Sequence, residues 1–212
     1  MSVKYLTLVL LLSLISLSNA EAADPIGIAS NVIKNVNITR AGEQKMLNIT
    51  KGTEIFVGDT IHTKDDESYV RIVFIDKTYI TMNGKDGELT IDKYIFDPKN
   101  SKDDGAQFKI LRASFEFVGG LLDKSENDNV RIDLDLGSIG VRGTKILRSM
   151  RNNECWIYLE EGNIRVFNDG GSVNLSAGEG TTLTSKTNAP RDVEKWNKKD
   201  IDWITNTTRM HK

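Results

Sequence analysis

The chain has 212 residues with 28 basic and 30 acidic side chains, two histidines and a single cysteine. Its length fits one domain with at most an appendage, and its interspersed, nearly balanced charges leave no footprint for nucleic acid. One cysteine excludes an internal disulfide, and two histidines with it leave no zinc site of the usual ligand spacing.

Residues 1–20 read as a secretory signal. Lys4 supplies the positive start, Leu6–Leu17 the apolar run, and Ser18-Asn19-Ala20 a small-residue cleavage site, with Ala20-Glu21-Ala22 as a second one. As a helix that run spans about 18 Å, against roughly 30 Å for a bilayer core, so it reads as a cleaved leader. No cysteine stands at the end of the run to carry a lipid. Cleavage removes Lys4 and no acid, and the mature chain is expected in a periplasm or secreted, without a membrane span. At roughly 190 residues it can bury about 70% of its extended surface, enough for a core without crosslinks.

From Ile26 to Leu183 strand signals recur at intervals of roughly 8–12 residues with turn residues between them. In Tyr69–Met82, Val70, Ile72 and Phe74 alternate with Arg71, Val73 and Ile75, and Asp76-Lys77 reads as a two-residue turn into Thr78–Met82. With Val73 and Ile75 also apolar, this strand is expected to be central and covered on both faces. Asp97–Gln107 reads as a polar surface excursion. Phe108–Leu122 is ambiguous between strand and a short helical turn, and Asp123–Asn129 reads as a second exposed loop.

The stretch GSIGVRGT, Gly137–Thr144, comes next, and then Trp156–Ser185. In the latter, Ile157, Leu159, Ile164, Val166, Val173, Leu175, Thr181 and Leu183 mark strands. Glu161-Gly162, Asp169-Gly170-Gly171 and Ala177-Gly178 mark breaks, where glycine supplies the positive φ of tight turns. In the tail, Val193, Trp196, Trp203 and Ile204 fall at helical spacing, and Asp192 can cap the start. Such a helix would dock its tryptophans on the β body or present them to a partner. The expected fold is all-β, a single domain of many short strands, solenoid-like or sandwich-like, with a short C-terminal helix.

Chemistry-bearing residues are few. His211 stands beside the C-terminus, and His62 lies on a strand between Ile61 and Thr63, where a surface position is the plain reading and a catalytic triad the strained one. Asp133 and Asp135 could face a cation with Asp128, but no loop supplies the ligand spacing that calcium uses, so a solvated strand edge is expected. Gly137, Gly140 and Gly143 are spaced by three, which is not a dinucleotide fingerprint. Gly140 and Gly143 would let the backbone fold tightly around Arg142, whose fork can brace a corner or bind a carboxylate, with Thr144 bonding the turn. Asp59 after Gly58 is suited to capping the turn before Ile61–Thr63, and an Asp59–Arg142 ion pair would tie the two halves together. Cys155 reads as a small buried side chain beside Trp156. Trp156, Tyr158 and Tyr94 are the candidates for an exposed aromatic platform. No catalytic or metal-binding residue is assigned.

Taken in order, Ala41–Pro98 (with Gly58-Asp59, YVRIVFIDKTYITM and LTIDKYIF), IGVRGT and Trp156–Ser185 resemble the FecR domain. That is a periplasmic all-β module of bacterial envelope regulators and stand-alone secreted proteins. The resemblance covers residues 27–190, leaving 191–212 as a helical tail. Leu134-Asp135-Leu136-Gly137-Ser138 stands where family members usually carry a threonine-proline pair. In membrane-anchored regulators of that family the domain relays an outer-membrane transport signal toward a sigma factor, and this chain is expected to lack the membrane-spanning and cytoplasmic parts of such a relay. The resemblance therefore implies a non-enzymatic periplasmic binding or sensory module without cofactor, engaging an envelope protein. The alternative is a module for peptidoglycan or another glycan. The candidate binding residues are Arg142, Thr144, Gly140, Gly143, Asp59, Trp156, Trp196 and Trp203.

Overall fold

Alternation of apolar and polar residues builds sixteen strands in the computed structural model, which describes residues 23–122 and 129–209. The signal-peptide reading, Asp128, His211 and most of the Asp123–Asn129 loop fall outside those residues. The strands are β1 (Gly27–Ile33), β2 (Val36–Thr39), β3 (Met46–Asn48), β4 (Glu54–Ile55), β5 (Thr60–Thr63), β6 (Tyr69–Phe74), β7 (Tyr79–Asn83) and β8 (Glu88–Ile95). They continue with β9 (Gly105–Leu111), β10 (Ser114–Val118), β11 (Val130–Asp133), β12 (Ser138–Arg151), β13 (Glu154–Asn168), β14 (Gly171–Ser176), β15 (Glu179–Leu183) and β16 (Glu194–Lys195). The helix α1 (Lys198–Thr208) closes the chain. Phe108–Leu122 thus resolves into strand, and the polar loop after β8 contains one 3-10 turn at Ser101–Asp103.

All the strands join one sheet, in the order β3-β2-β5-β8-β9-β11-β12-β10-β7-β6-β1-β4, with β13 to β16 continuing from β12. The sheet curls because β12 serves two layers. Its first half, Ser138–Val141, pairs with β11, and its second half, Lys145–Arg148, pairs with β10. Between the halves the register with β13 slips at Arg142–Lys145, where Gly143 has φ +63°. Gly162 on β13 and Gly178 between β14 and β15 carry the same left-handed backbone, and the Gly178 N–H donates to the Leu159 carbonyl. A Cβ on Gly162 would run into the Gly143 carbonyl.

These glycines form one crease across neighbouring strands, bulges at Gly143 and Gly162 and a turn at Gly178, where the sheet bends. One of the three breaks read from the sequence is therefore corrected: Glu161-Gly162 lies inside a continuous strand. Ala177-Gly178 is a break as expected, the turn between β14 and β15, which both pair with β13. Asp169-Gly170 is a true hairpin connection. A left-handed glycine serves a bulge as well as a turn, so the residue type does not separate them.

The fold is one curled sheet, a half-barrel, and not a solenoid of parallel coils. Among the described residues only β9 and β11 pair in parallel. The layers meet through aromatic contacts: Phe74 on β6 stacks on Tyr94 of β8 at 5.2 Å, and Phe108 on β9 touches Phe74 at 5.2 Å and Phe117 of β10 at 6.2 Å. β6 is central, flanked by β1 and β7. It is covered fully on one face only, since Arg71 and Val73 are half-buried and Ile75 beyond it is 55% exposed. The turn after it is larger than two residues: the Phe74 N–H donates to the Thr78 carbonyl and Lys77 takes φ +74°. Asp76 inside this turn is fully buried. Its carboxylate accepts from the Thr78 N–H (3.0 Å), Thr78 Oγ1 (2.6 Å), Tyr94 Oη (2.7 Å) and the Leu122 N–H (3.0 Å). Burial and this carboxylate push the Tyr94 hydroxyl pKa well above the usual tyrosine range.

The tail differs from its expected start. Glu194 and Lys195 pair with β15 as β16, so the helix begins only at Lys198. Asn197 is the cap, its Oδ1 accepting from the Asp200 N–H at 3.1 Å. An amide there satisfies an orphan donor of the first turn, which displaces Asp192 as the cap. Trp196 lies ahead of the helix, stacked on Tyr158 at 5.4 Å and edge-on to Trp156 at 5.0 Å, while Trp203 of α1 meets Trp156 at 5.7 Å. With Leu147 and Ile204 these rings make a second core between α1 and the sheet. Arg209 clamps the end, donating to Glu116 and Glu160.

The Trp196 ring packs directly on Gly180, leaving no room for a Cβ. Gly180→Ala is expected to displace Trp196 at a cost of about 1–3 kcal/mol and to shift tryptophan emission to longer wavelength as α1 loosens. An unchanged emission maximum and urea midpoint would refute this packing.

Candidate functional site: a basic groove on the bent hairpin

Above the crease, β11, the first half of β12, the second half of β13 and β14 lie side by side. Their inward residues, Ile132, Ile139, Val141, Ile164, Val166 and Leu175, are core. The alternate residues form a surface row in which Arg131 pairs with Gly140, Gly140 with Arg165, and Arg165 with Asn174. In the next row Asp133, Ser138, Phe167 and Ser172 stand side by side. Since Gly140 contributes no side chain, the first row has a gap between two arginines. A groove of about 570 Å³ opens beside it, lined also by Arg142, Asn163 and Ser176 and, from the inward row, by Val130, Val141, Ile164 and Leu175.

The gap is not imposed by the backbone. Gly140 has no left-handed φ, and an ideal Cβ there would meet only the Arg165 carbonyl at 3.9 Å. The Arg131 and Arg165 guanidinium groups both lie over the Phe167 ring, at 5.2 and 5.6 Å from its centroid. Asp133 orients Arg131: its Oδ1 accepts from Arg131 Nε (2.7 Å) and Ser138 Oγ (2.6 Å), and its Oδ2 from Gln107 Nε2 (2.9 Å). Burial opposes its ionisation, but these bonds outweigh burial and hold the Asp133 carboxyl below its usual range. Arg165 donates to Ser172 Oγ at 3.1 Å. The basic row extends over β9 and β8 through Gln107 to Lys93, beside a hollow of about 490 Å³ that Lys102 also lines. Planar, always-charged forks stacked on a ring suit a planar anion, above all a carboxylate.

The predicted site residues fall in different places. Gly140 and Arg142 belong to the groove, but no corner is folded around Arg142: it is exposed on β12, opposite Asn163. Gly143 and Thr144 belong to the crease, where the buried Thr144 accepts the Gly119 N–H through its carbonyl. The Asp59–Arg142 pair is not formed. Asp59 does cap its turn, accepting from the Phe56 N–H at 2.8 Å, but its ion-pair partner is Arg40 at 2.6 Å, which reaches across from the end of β2. Burial pushes the Asp59 carboxyl up, against the pull of Phe56 N–H and Arg40.

Trp156, Trp196 and Trp203 pack against one another under the tail, and Tyr94 and Tyr158 are buried. The exposed aromatic platform expected from the sequence is therefore absent among these residues. His62 is half-buried on β5, 3.2 Å from Thr39 Oγ1, and burial lowers its pKa. Asp135 is not a solvated partner of Asp133, because it holds Arg148 at 2.8 Å and accepts the Arg112 N–H at 3.0 Å. Cys155 is buried as expected, with Arg148 Nε 3.1 Å from its Sγ, and burial pushes its thiol up. Arg131, Arg165 and Phe167 were missed by sequence reasoning. Their phase on VRID and NIRVF was readable, but the pairing that unites them was not.

No protein-family model matches the chain, and no curated protein matches it. Among solved structures it is similar to two crystal structures of candidate anti-sigma factors from Parabacteroides distasonis, at 12% identity with a TM-score of 0.48 and at 14% with a TM-score of 0.49. Each match covers 69% of this chain and 64% of the other, so the chain spans less than two thirds of those proteins. At such identity nothing of their activity passes to this chain.

Proposed function

We propose that the chain is an exported, non-enzymatic binding or sensory module of a bacterial envelope that engages a protein partner through the groove between β11 and β14. One observation carries this reading. The groove is lined by Arg131, Arg142 and Arg165 and, among the described residues, by no carboxylate, in a chain whose net charge is −2. Positive charge is thus concentrated on one face, built in part from the GSIGVRGT stretch. Such local fields choose and steer oppositely charged partners.

The test is crosslinking capture from envelope extract with the mature chain from Glu21 onward, beside an Arg165→Gln variant. One saturable protein partner is expected, recovered about tenfold less by the variant, as the loss of one charge-assisted contact implies. Circular dichroism and melting of the variant should match those of the parent. Equal recovery by both proteins would move the interface elsewhere, and recovery of cell-wall fragments alone would favour a glycan-binding module.

A further inference from the structure

We infer that the groove receives the side-chain carboxylate of an acidic, extended peptide segment that adds as a strand along β14. The inference rests on the protein-binding reading above and names the chemistry of the partner.

Three independent features converge on it. Arg131 and Arg165 bring two like charges onto one ring, Phe167. The neighbouring carboxylate, Asp133, is already committed through both oxygens to Arg131, Ser138 and Gln107. An additional anion between the forks relieves that repulsion, and the planar group a guanidinium matches in two-point contact is a carboxylate. Second, neither φ nor packing accounts for glycine at 140. Its one structural consequence is the open floor between the two arginines.

Third, β14 is an edge. Among the described residues it pairs with β13 alone, and Ser172, Asn174 and Ser176 are exposed. An unpaired edge offers backbone donors and acceptors to an incoming strand, which then sets alternate side chains on the groove side. The side chains of β14 on that face are short. The added strand would lie about 10 Å from β13, at two strand spacings, but Arg165 leans over β14 to Ser172 Oγ at 3.1 Å, which brings its fork within reach of a glutamate on that strand. An edge plus two arginines favours a peptide over an acidic sugar, whose chain has no use for strand pairing.

The experiment measures fluorescence anisotropy of a short labelled peptide of alternating Glu and Thr on the full mature chain. Its Gln-Thr counterpart, a copy N-methylated at alternate residues and a uronate oligosaccharide are run beside it. The Glu-Thr peptide is expected to bind, and the Gln-Thr and N-methylated peptides to bind at least about tenfold more weakly. Gly140→Leu, which fills the floor, and Arg165→Gln should each cause a similar loss at unchanged melting temperature. Lys198→Gln on α1, away from the groove, should bind as the parent does.

Equal binding of the Gln-Thr peptide, or full binding by folded Gly140→Leu, would overturn the proposal. So would uronate binding where the peptide has none. If no peptide binds while the envelope partner is still captured through Arg165, this inference fails and the protein-binding reading stands. If the peptide binds as expected but no envelope partner is captured, the groove's chemistry stands and the envelope reading fails.

Discussion

Asp76→Ala is expected to lower the unfolding free energy by roughly 3–5 kcal/mol, among the largest effects of any single substitution in this chain. The carboxylate is fully buried and accepts four hydrogen bonds from three segments: the β6–β7 turn, β8 through Tyr94, and the chain after β10 at Leu122. The Asp76 carbonyl also takes the Leu121 N–H. Truncation removes the acceptor and leaves the Thr78 N–H and the Tyr94 hydroxyl buried without it, and unmet buried donors cost more than the bonds themselves return. For a chain of this size the loss corresponds to a fall in melting temperature on the order of 10 °C. Tyr94→Phe removes one donor and should cost only about 1 kcal/mol. Urea unfolding followed by far-UV circular dichroism measures both. A loss below about 1 kcal/mol for Asp76→Ala would mean that this hub does not hold the turn.

Arg148→Ala is expected to cost about as much, roughly 3–5 kcal/mol, for a different reason. Arg148 is fully buried, pairs with Asp135, and donates to the Ala113 carbonyl and to Cys155 Sγ. Removing it leaves the Ala113 carbonyl without its donor and the half-buried Asp135 with only the Arg112 N–H, and opens a cavity. The double variant Arg148→Met with Asp135→Leu should recover most of the loss, because a buried ion pair exchanged for apolar side chains of similar volume is close to neutral. Chemical denaturation of the two single variants and the double completes the cycle. If the double variant is as unstable as the sum of the singles, the pair is not coupled and the geometry of Arg148 has been misread.

Arg148 also shows where periodicity stops being a guide. Ile139 and Val141 face the core, so counting by two along β12 points Leu147 and Ser149 inward and Arg148 outward. Across the crease each strand takes up one extra residue: Arg142 lies opposite Asn163, Lys145 opposite Glu161 and Ile146 opposite Leu159, so the slip on β12 at Gly143-Thr144 is matched by one on β13 at Glu160. The extra residue on β12 reverses its phase. Ile146 and Arg148 then face the main core, and Leu147 faces the tryptophans under α1. Nothing in RGTKILR marks the glycine as a bulge rather than a turn.

Local pattern by itself determined that this chain is a body of short strands with a helix near its end, because side-chain alternation and helical spacing are set by residues a few positions apart. It also located the cap at Asp59, the buried Cys155 and the two groove residues Gly140 and Arg142. The tertiary structure alone decided which strands pair, and with that the partner of Asp59, the burial of Trp156 under Trp196 and Trp203, and the meeting of Arg131 with Arg165 across Gly140. Those contacts join segments 19 residues apart in Arg40–Asp59 and much farther apart in Thr81–Thr208, at 127. Their formation depends on strand order and on the crease, which arise when the whole sheet curls over its main core and α1 docks on its outer face, and not from the composition of any segment within it.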